Sequence, residues 1–150
     1  MLVGLISDTH GQIRRAALDA LRGTDVILHA GDVGGGPVLD ALSALAPVRA
    51  VAGNVDVPDG TLETAIDCDL EGVRVHVSHG HELGRPTPER LAARYDAAVI
   101  IYGHTHTALV RTLGTTLVIN PGAAGPRRFN LQPSIGLLRL PEREVTIVPL

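Results

Sequence analysis

The 150-residue chain is 45% hydrophobic, only 2% aromatic, and carries a formal net charge of −3. That length predicts a single domain, residues 1–150, with an aliphatic core. The acidic balance argues against a general nucleic-acid binder. No apolar run approaches the roughly 20 residues of a membrane span, and one cysteine, Cys68, excludes an internal disulfide.

Leu2–Ser7 reads as a buried strand that ends on Asp8-Thr9-His10. Ile13, Ala16, Ala17, Leu18 and Leu21 follow at helical spacing. Val26–Ala30 is a second strand ending on Gly31-Asp32, Pro37–Leu45 a short helix with proline in its first turn, and Val48–Ala52 a third strand before Gly53-Asn54. Strands alternating with helices imply right-handed crossovers and parallel pairing.

The later chain is richer in strands. Leu62–Asp67 and Val73–Ser78 flank a hairpin turn at Glu71-Gly72, and the second of them leads into Ser78-His79-Gly80-His81. Thr87-Pro88-Glu89 opens a helix to about Tyr95, with a hydroxyl cap, proline at the first helical position and an acid in the first turn. Ala97–Tyr102 is a strand before Gly103-His104-Thr105-His106. Leu109–Leu113, Thr116–Ile119 and Ile135–Leu140 follow, and Val145–Val148 pairs back across Pro141-Glu142.

Five polar clusters thus stand where hydrophobic runs end, and in open α/β sheets that carboxyl edge is where ligands bind. Asp, Asn and His are donors for divalent metals. Asp8 and His10, two apart in an extended segment, point the same way; the competing reading makes Asp8 a cap for the helix near Ile13. Asp32 carries two oxygens and can bridge two cations, or it begins a turn into Gly34-Gly35-Gly36, which lacks the Gly-Lys-Ser/Thr of a P-loop. Asn54 offers an amide oxygen, although Asn after Gly is also an ordinary turn residue. Asp56, two residues on, is a lesser candidate metal ligand and is expected first to orient Asn54 or cap its loop. His79 and His81, then His104 and His106, hold four of the seven histidines. His29 reads as a hydrogen-bonded core residue, His76 as facing away from the clusters, and Cys68 as a small buried hydrophobe.

In this order, Asp-x-His, Gly-Asp, Gly-Asn, His-Gly-His and Gly-His-Thr-His resemble the calcineurin-like metallophosphoesterase superfamily. The short length without an inserted cap is similar to its small single-domain prokaryotic phosphodiesterase branch, and Asn120-Pro121-Gly122 resembles a further loop of that branch. The resemblance implies an α/β fold, a four-layer αββα sandwich of two mixed β-sheets flanked by helices. It implies a binuclear centre with Asp8, His10 and His106 on one metal, Asn54, His79 and His104 on the second, and Asp32 bridging. Two divalent ions are expected, manganese ahead of iron, nickel or zinc. The implied reaction is hydrolysis of a phosphodiester by a hydroxide held between the metals. Two dications against two carboxylates leave a positive site that hydroxide and a diester anion together neutralise.

Many members of that family carry histidine directly after Gly-Asn, where this chain has Val55. His81 is then the candidate proton donor to the leaving group, or a support for His79. The expected substrate is a small phosphodiester or nucleotide-like molecule, with no membrane partner and the oligomeric state left open. An N-terminus without export-signal features predicts a cytoplasmic protein. Two other readings compete: a non-catalytic protein-interaction scaffold of the same fold, and a phosphomonoesterase or nucleotide phosphatase. Gly34-Gly35-Gly36 stands where dinucleoside-polyphosphate hydrolases usually carry Asp-Arg-Gly.

Overall fold

Alternation along the strands decides the layers. In a computed structural model describing residues 1–150, Val3 and Leu5 of β1 (Leu2–Ile6) face a central cluster that also contains Leu28, Val75, Val77, Val99, Ile101 and Ile119. Ile6 and Ile27 point the other way, onto Ala17 of α1 (Arg15–Ala20) and Leu21 at its end, and onto Val38 and Leu42 of α2 (Gly36–Ser43). This period-two division is what a sheet buried on both faces requires. The first sheet has the order β10-β9-β1-β2-β3, with β2 at Val26–His29, β3 at Val48–Ala50, β9 at Ser134–Arg139 and β10 at Glu144–Pro149.

The second sheet repeats the logic. Its order is β4-β5-β6-β8-β7, from β4 (Ile66–Leu70), β5 (Val73–Val77), β6 (Val99–Ile101), β7 (Leu109–Leu113) and β8 (Thr116–Asn120). Ile100 and Val118 face outward onto Leu91 of α3 (Pro88–Arg94), while Val99, Ile101, Leu117 and Ile119 face the first sheet. The result is the expected αββα sandwich. The Thr87 hydroxyl accepts from the Arg90 N–H at 3.2 Å and Pro88 opens α3, as the sequence predicts. No helix is long and apolar enough to cross a membrane.

One boundary moves. The strand expected over Leu62–Asp67 begins at Ile66 and runs to Leu70, and the preceding segment meets β3 and its continuation at Glu63, through the Val51–Glu63 bridge and the Arg49–Glu63 ion pair. Glu71 and Gly72 both have positive φ, 53° and 76°, so a two-residue turn sets Leu70 opposite Val73. Pairing must then run back from Leu70. Asp67 and Asp69, on the outer face, conceal the strand from a search for apolar runs.

β1, β2 and β3 are mutually parallel, as are β5, β6 and β8. Each sheet therefore presents its carboxyl ends along one edge. Three bonds tie those edges together across the sandwich: His104 N–H to Asp8 Oδ2 at 3.1 Å, His79 Nδ1 to the Ala30 carbonyl at 2.7 Å, and His104 Nδ1 to Asn54 Oδ1 at 3.2 Å. All five polar clusters meet there.

Candidate metal centre

Asp8, which leaves β1 and is fully buried, uses its two oxygens differently. Oδ2 accepts from the Ser7 hydroxyl at 2.6 Å and from the His104 N–H. Oδ1 has no hydrogen-bond partner and lies 3.3 Å from His106 Nε2, 3.8 Å from His79 Nε2 and 3.9 Å from His10 Nε2. Asp32, after β2, divides its oxygens in the same way. Its Oδ1 accepts from the Val55 N–H at 3.1 Å, and Oδ2 stands 3.6 Å from His10 Nε2 and 3.3 Å from His79 Nε2. A single oxygen of Asp32 therefore faces both histidines, where the sequence suggested one oxygen for each side.

His79 donates from Nδ1 to the Ala30 carbonyl, which leaves Nε2 bare toward the centre. His10 Nε2 is likewise buried and unpartnered. Donor atoms of Asp8, His10 and His106 form one close group, and those of Asp8, Asp32 and His79 a second. Asn54 and His104 sit on the exposed rim, where His104 Nδ1 and Asn54 Oδ1 are 3.2 Å apart. The His104 ring lies 5.1 Å from that of His79. All seven proposed metal-ligating residues thus converge on one edge of the sandwich.

The local backbone is unusual. Asp8, His10, Asp32, His104 and His106 all have φ between 48° and 71°, a region sparsely used by non-glycine residues that concentrates at functional sites. Asp8 and His10 therefore converge through a tight turn and not along an extended segment. Asp8 caps no helix, because α1 starts after Arg14 with no side-chain cap. Close approach explains Gly103: a Cβ there would lie 2.0 Å from Ser7 Oγ and 2.6 Å from Asp8 Oδ2. Gly31 has the same cause, with His79 Nδ1 at 2.7 Å from its Cβ position.

The donor set fits divalent cations. Asp8 and Asp32 are buried carboxylates whose only cationic-type neighbours are histidines, and buried charges are normally paired or bound to metal. Neighbouring donors on a cation with bonds near 2.1 Å lie roughly 3–3.5 Å apart, close to the separations of the orphaned atoms here. Without a cation the histidine protons carry the load. Burial disfavours a charged His79, yet the contact with Asp32 and the charge of Asp8 raise its pKa above the usual imidazole value. Burial would raise Asp32, but His79, the Val55 N–H and His10 bring it down to about 2. A cation and a proton compete for the same nitrogen.

The remaining predicted residues separate cleanly. His81 is partly exposed at the mouth, with its ring 5.3 Å from that of His79 and 6.4 Å from that of His104. Asp56 caps its loop, accepting from the backbone N–H groups of Val33, Gly34 and Gly53. Buried His29 accepts the Gly31 N–H at Nδ1, so Nε2 carries the proton and donates to Thr9 Oγ1 at 3.0 Å. Desolvation lowers its pKa to about 4. His76 pairs with Asp67 and stacks on Tyr95, away from the centre. Cys68 is half-buried against the central cluster. Ser7, which orients Asp8, went unnoticed in the sequence; its signal was a hydroxyl closing an otherwise apolar strand.

The profile of the calcineurin-like phosphoesterase superfamily domain matches residues 1–143. A probable metallophosphoesterase of Methanothermobacter thermautotrophicus is 37% identical over 150 aligned positions, covering 93% of this chain and 86% of the relative. The phosphodiesterase MJ0936 of Methanocaldococcus jannaschii is 28% identical, covering 96% of each. Wild-type Vps29 of Entamoeba histolytica, solved in complex with zinc, superposes with a TM-score of 0.85 at 30% identity, over 99% of this chain and 91% of that one. The chain belongs to the calcineurin-like phosphoesterase superfamily.

Proposed function

We propose that residues 1–150 form one metal-dependent domain that hydrolyses small, nucleotide-like phosphodiesters in the cytoplasm. The observation that carries this reading is the set of unpartnered donor atoms, Asp8 Oδ1, His10 Nε2 and His79 Nε2, gathered with Asp32 Oδ2 and His106 Nε2 around one buried centre. Asp8, His10 and His106 would hold one divalent ion, and Asn54, His79 and His104 a second, with Asp32 Oδ2 between them. Mn²⁺ is the expected occupant. Such ions acidify bound water and neutralise phosphoryl oxygens.

The chain's own groups do the rest. Ser7 and the His104 N–H fix Asp8, the Val55 N–H fixes Asp32, and the Ala30 carbonyl fixes the tautomer of His79. Support of this kind orients ligands and raises their basicity. The floor is covered, with Asp8 and His79 fully buried, whereas Asn54, His81 and the partly exposed His104 form the open side. A phosphoester enters from that side. His81, at the mouth, hands a proton to the departing alcohol.

Metal analysis of the untreated protein, followed by a metal-supplemented screen of phosphodiesters and phosphomonoesters, tests this. Turnover of diesters that disappears on chelation is the expected result; bound metal without turnover of any ester would contradict it. The likeness to Vps29 favours a second reading, a protein-interaction scaffold of the same fold. Since that neighbour is itself described with zinc bound, metal content alone does not separate the two, and turnover does.

A further inference from the structure

A groove of about 560 Å³ opens beside the candidate centre, between glycines 34–36, α2 and the loop that follows Asn54. Leu39, Leu62, Val55 and Val57 form its apolar walls. Val55 is 53% exposed and Val57 71%, so two branched hydrophobes stand in water on the same short loop. Covering them removes apolar surface from water, which is favourable. The groove adjoins the centre, because Val33 and Val55 of its lining directly follow Asp32 and Asn54 in the chain. The Val55 N–H donates to Asp32 Oδ1, and Val33, directly after Asp32, lines the inner end. Its floor is open as well: a Cβ at Gly36 would meet nothing within 4 Å, and one at Gly35 only Pro37 Cδ at 3.7 Å.

Charge decides the class of occupant. No Arg lines the groove, and its two carboxylates are both engaged. Asp56 is held by three backbone N–H groups, and Asp59 accepts from the Thr61 N–H and hydroxyl. A second phosphate placed here would meet acid and no cation. An uncharged ring would meet valine, leucine and bare backbone, in a volume ordinary for small-molecule sites, roughly 300–1,000 Å³.

We propose that this groove binds the uncharged organic substituent of the phosphoester, with Leu39, Val55, Val57 and Leu62 selecting apolar, ring-sized groups. The proposal rests on the phosphoesterase reading for the position of the phosphate, and it names the class of group attached to it.

Diphenyl phosphate and dimethyl phosphate share one charge and one diester core, and differ only in what would enter the groove. Both are resistant esters that serve as binding probes. In the Zn²⁺-loaded protein, diphenyl phosphate should bind roughly tenfold or more tightly than dimethyl phosphate, and should shift the methyl resonances of Val55 and Val57. Val57→Ser, an uncharged change at an exposed position, should lower the ratio of the two affinities through weaker diphenyl phosphate binding. Gly36→Leu, starting from open space, should plug the groove with the same effect. Equal binding of the two probes by the unmodified protein, or unmoved valine methyls, would overturn the proposal. Methyl shifts that follow protein concentration would assign the groove to a second copy of the chain and overturn it too. Diphenyl phosphate binding with no ester turned over strikes the phosphoesterase reading alone and leaves the groove's preference standing.

Discussion

Asn120, the last residue of β8, donates from Nδ2 to the Gly103 carbonyl at 3.1 Å, and from the same nitrogen to Thr105 Oγ1 at 3.0 Å. Its Oδ1 accepts the Gly122 N–H at 2.9 Å. One buried amide therefore fixes the turn that presents His104 and His106. Asn120→Ala leaves the Gly122 N–H without a partner, at a cost of about 1–3 kcal/mol, while the Gly103 carbonyl keeps the Thr105 N–H at 2.8 Å. It should also weaken metal binding by about 10- to 100-fold, the usual scale for a lost ligand support. Urea unfolding and calorimetric metal titration measure the two effects; a stability loss with unchanged metal affinity would refute the link to the turn.

Asp32→Ala should reduce activity more than Asn54→Ala. Asp32 is a buried carboxylate whose Oδ2 faces both His10 and His79, whereas Asn54 is a neutral amide on the rim beside His104. Losses of about 100-fold or more are expected for Asp32→Ala. Metal content and diester turnover of the two variants decide it, and equal values would contradict the bridging role proposed for Asp32.

His104→Ala and His106→Ala should empty different positions, although they are two residues apart. His106 Nε2 lies 3.3 Å from Asp8 Oδ1, while His104 turns toward Asn54 and His79. Anomalous diffraction from metal-soaked crystals of each variant reads the occupancy directly. The same site weakened in both would overturn the division of ligands.

His29 predicts an acid-sensitive fold. Its native pKa is lowered to about 4, against 6.5 for the free side chain. Between these values the unfolded chain binds a proton that the native state refuses, so the contribution is fully present above pH 6.5 and is lost as pH falls toward 4. That difference is worth on the order of 3 kcal/mol. His29→Gln keeps hydrogen-bonding groups near Thr9 and Gly31 without a titrating site. Denaturation of the metal-free proteins at pH 7.5 and pH 4.5 should show a smaller acid loss for the variant, and parallel losses would contradict the assignment.

His81→Ala tests proton delivery at the mouth. General acid catalysis contributes about 10²–10⁴-fold, so the variant should lose most activity on alkyl diesters and least on 4-nitrophenyl esters, with metal content unchanged. Loss of metal would make His81 a support for His79, whose ring is 5.3 Å away.

The residue types at the strand exits, the parallel order of the first three strands and the hairpin at Glu71-Gly72 were all legible in the chain, because each rests on local periodicity and on backbone preferences a few residues long. The shared edge was legible for the same reason: every cluster follows an apolar run. What each donor atom faces was not. Asp8 reaches His79 and His106, and the Ala30 carbonyl reaches His79, only because two sheets pack against one another and bring distant loops to within 4 Å. Asp32's two oxygens acquire separate tasks because Val55 N–H arrives from another loop. Asp56, one of several acids in the chain, caps a loop because three backbone N–H groups close around it. Sequence placed the chemistry along one edge, since strand ends are local features. Tertiary packing chose which lone pairs stayed free, since that depends on contacts between residues far apart in the chain.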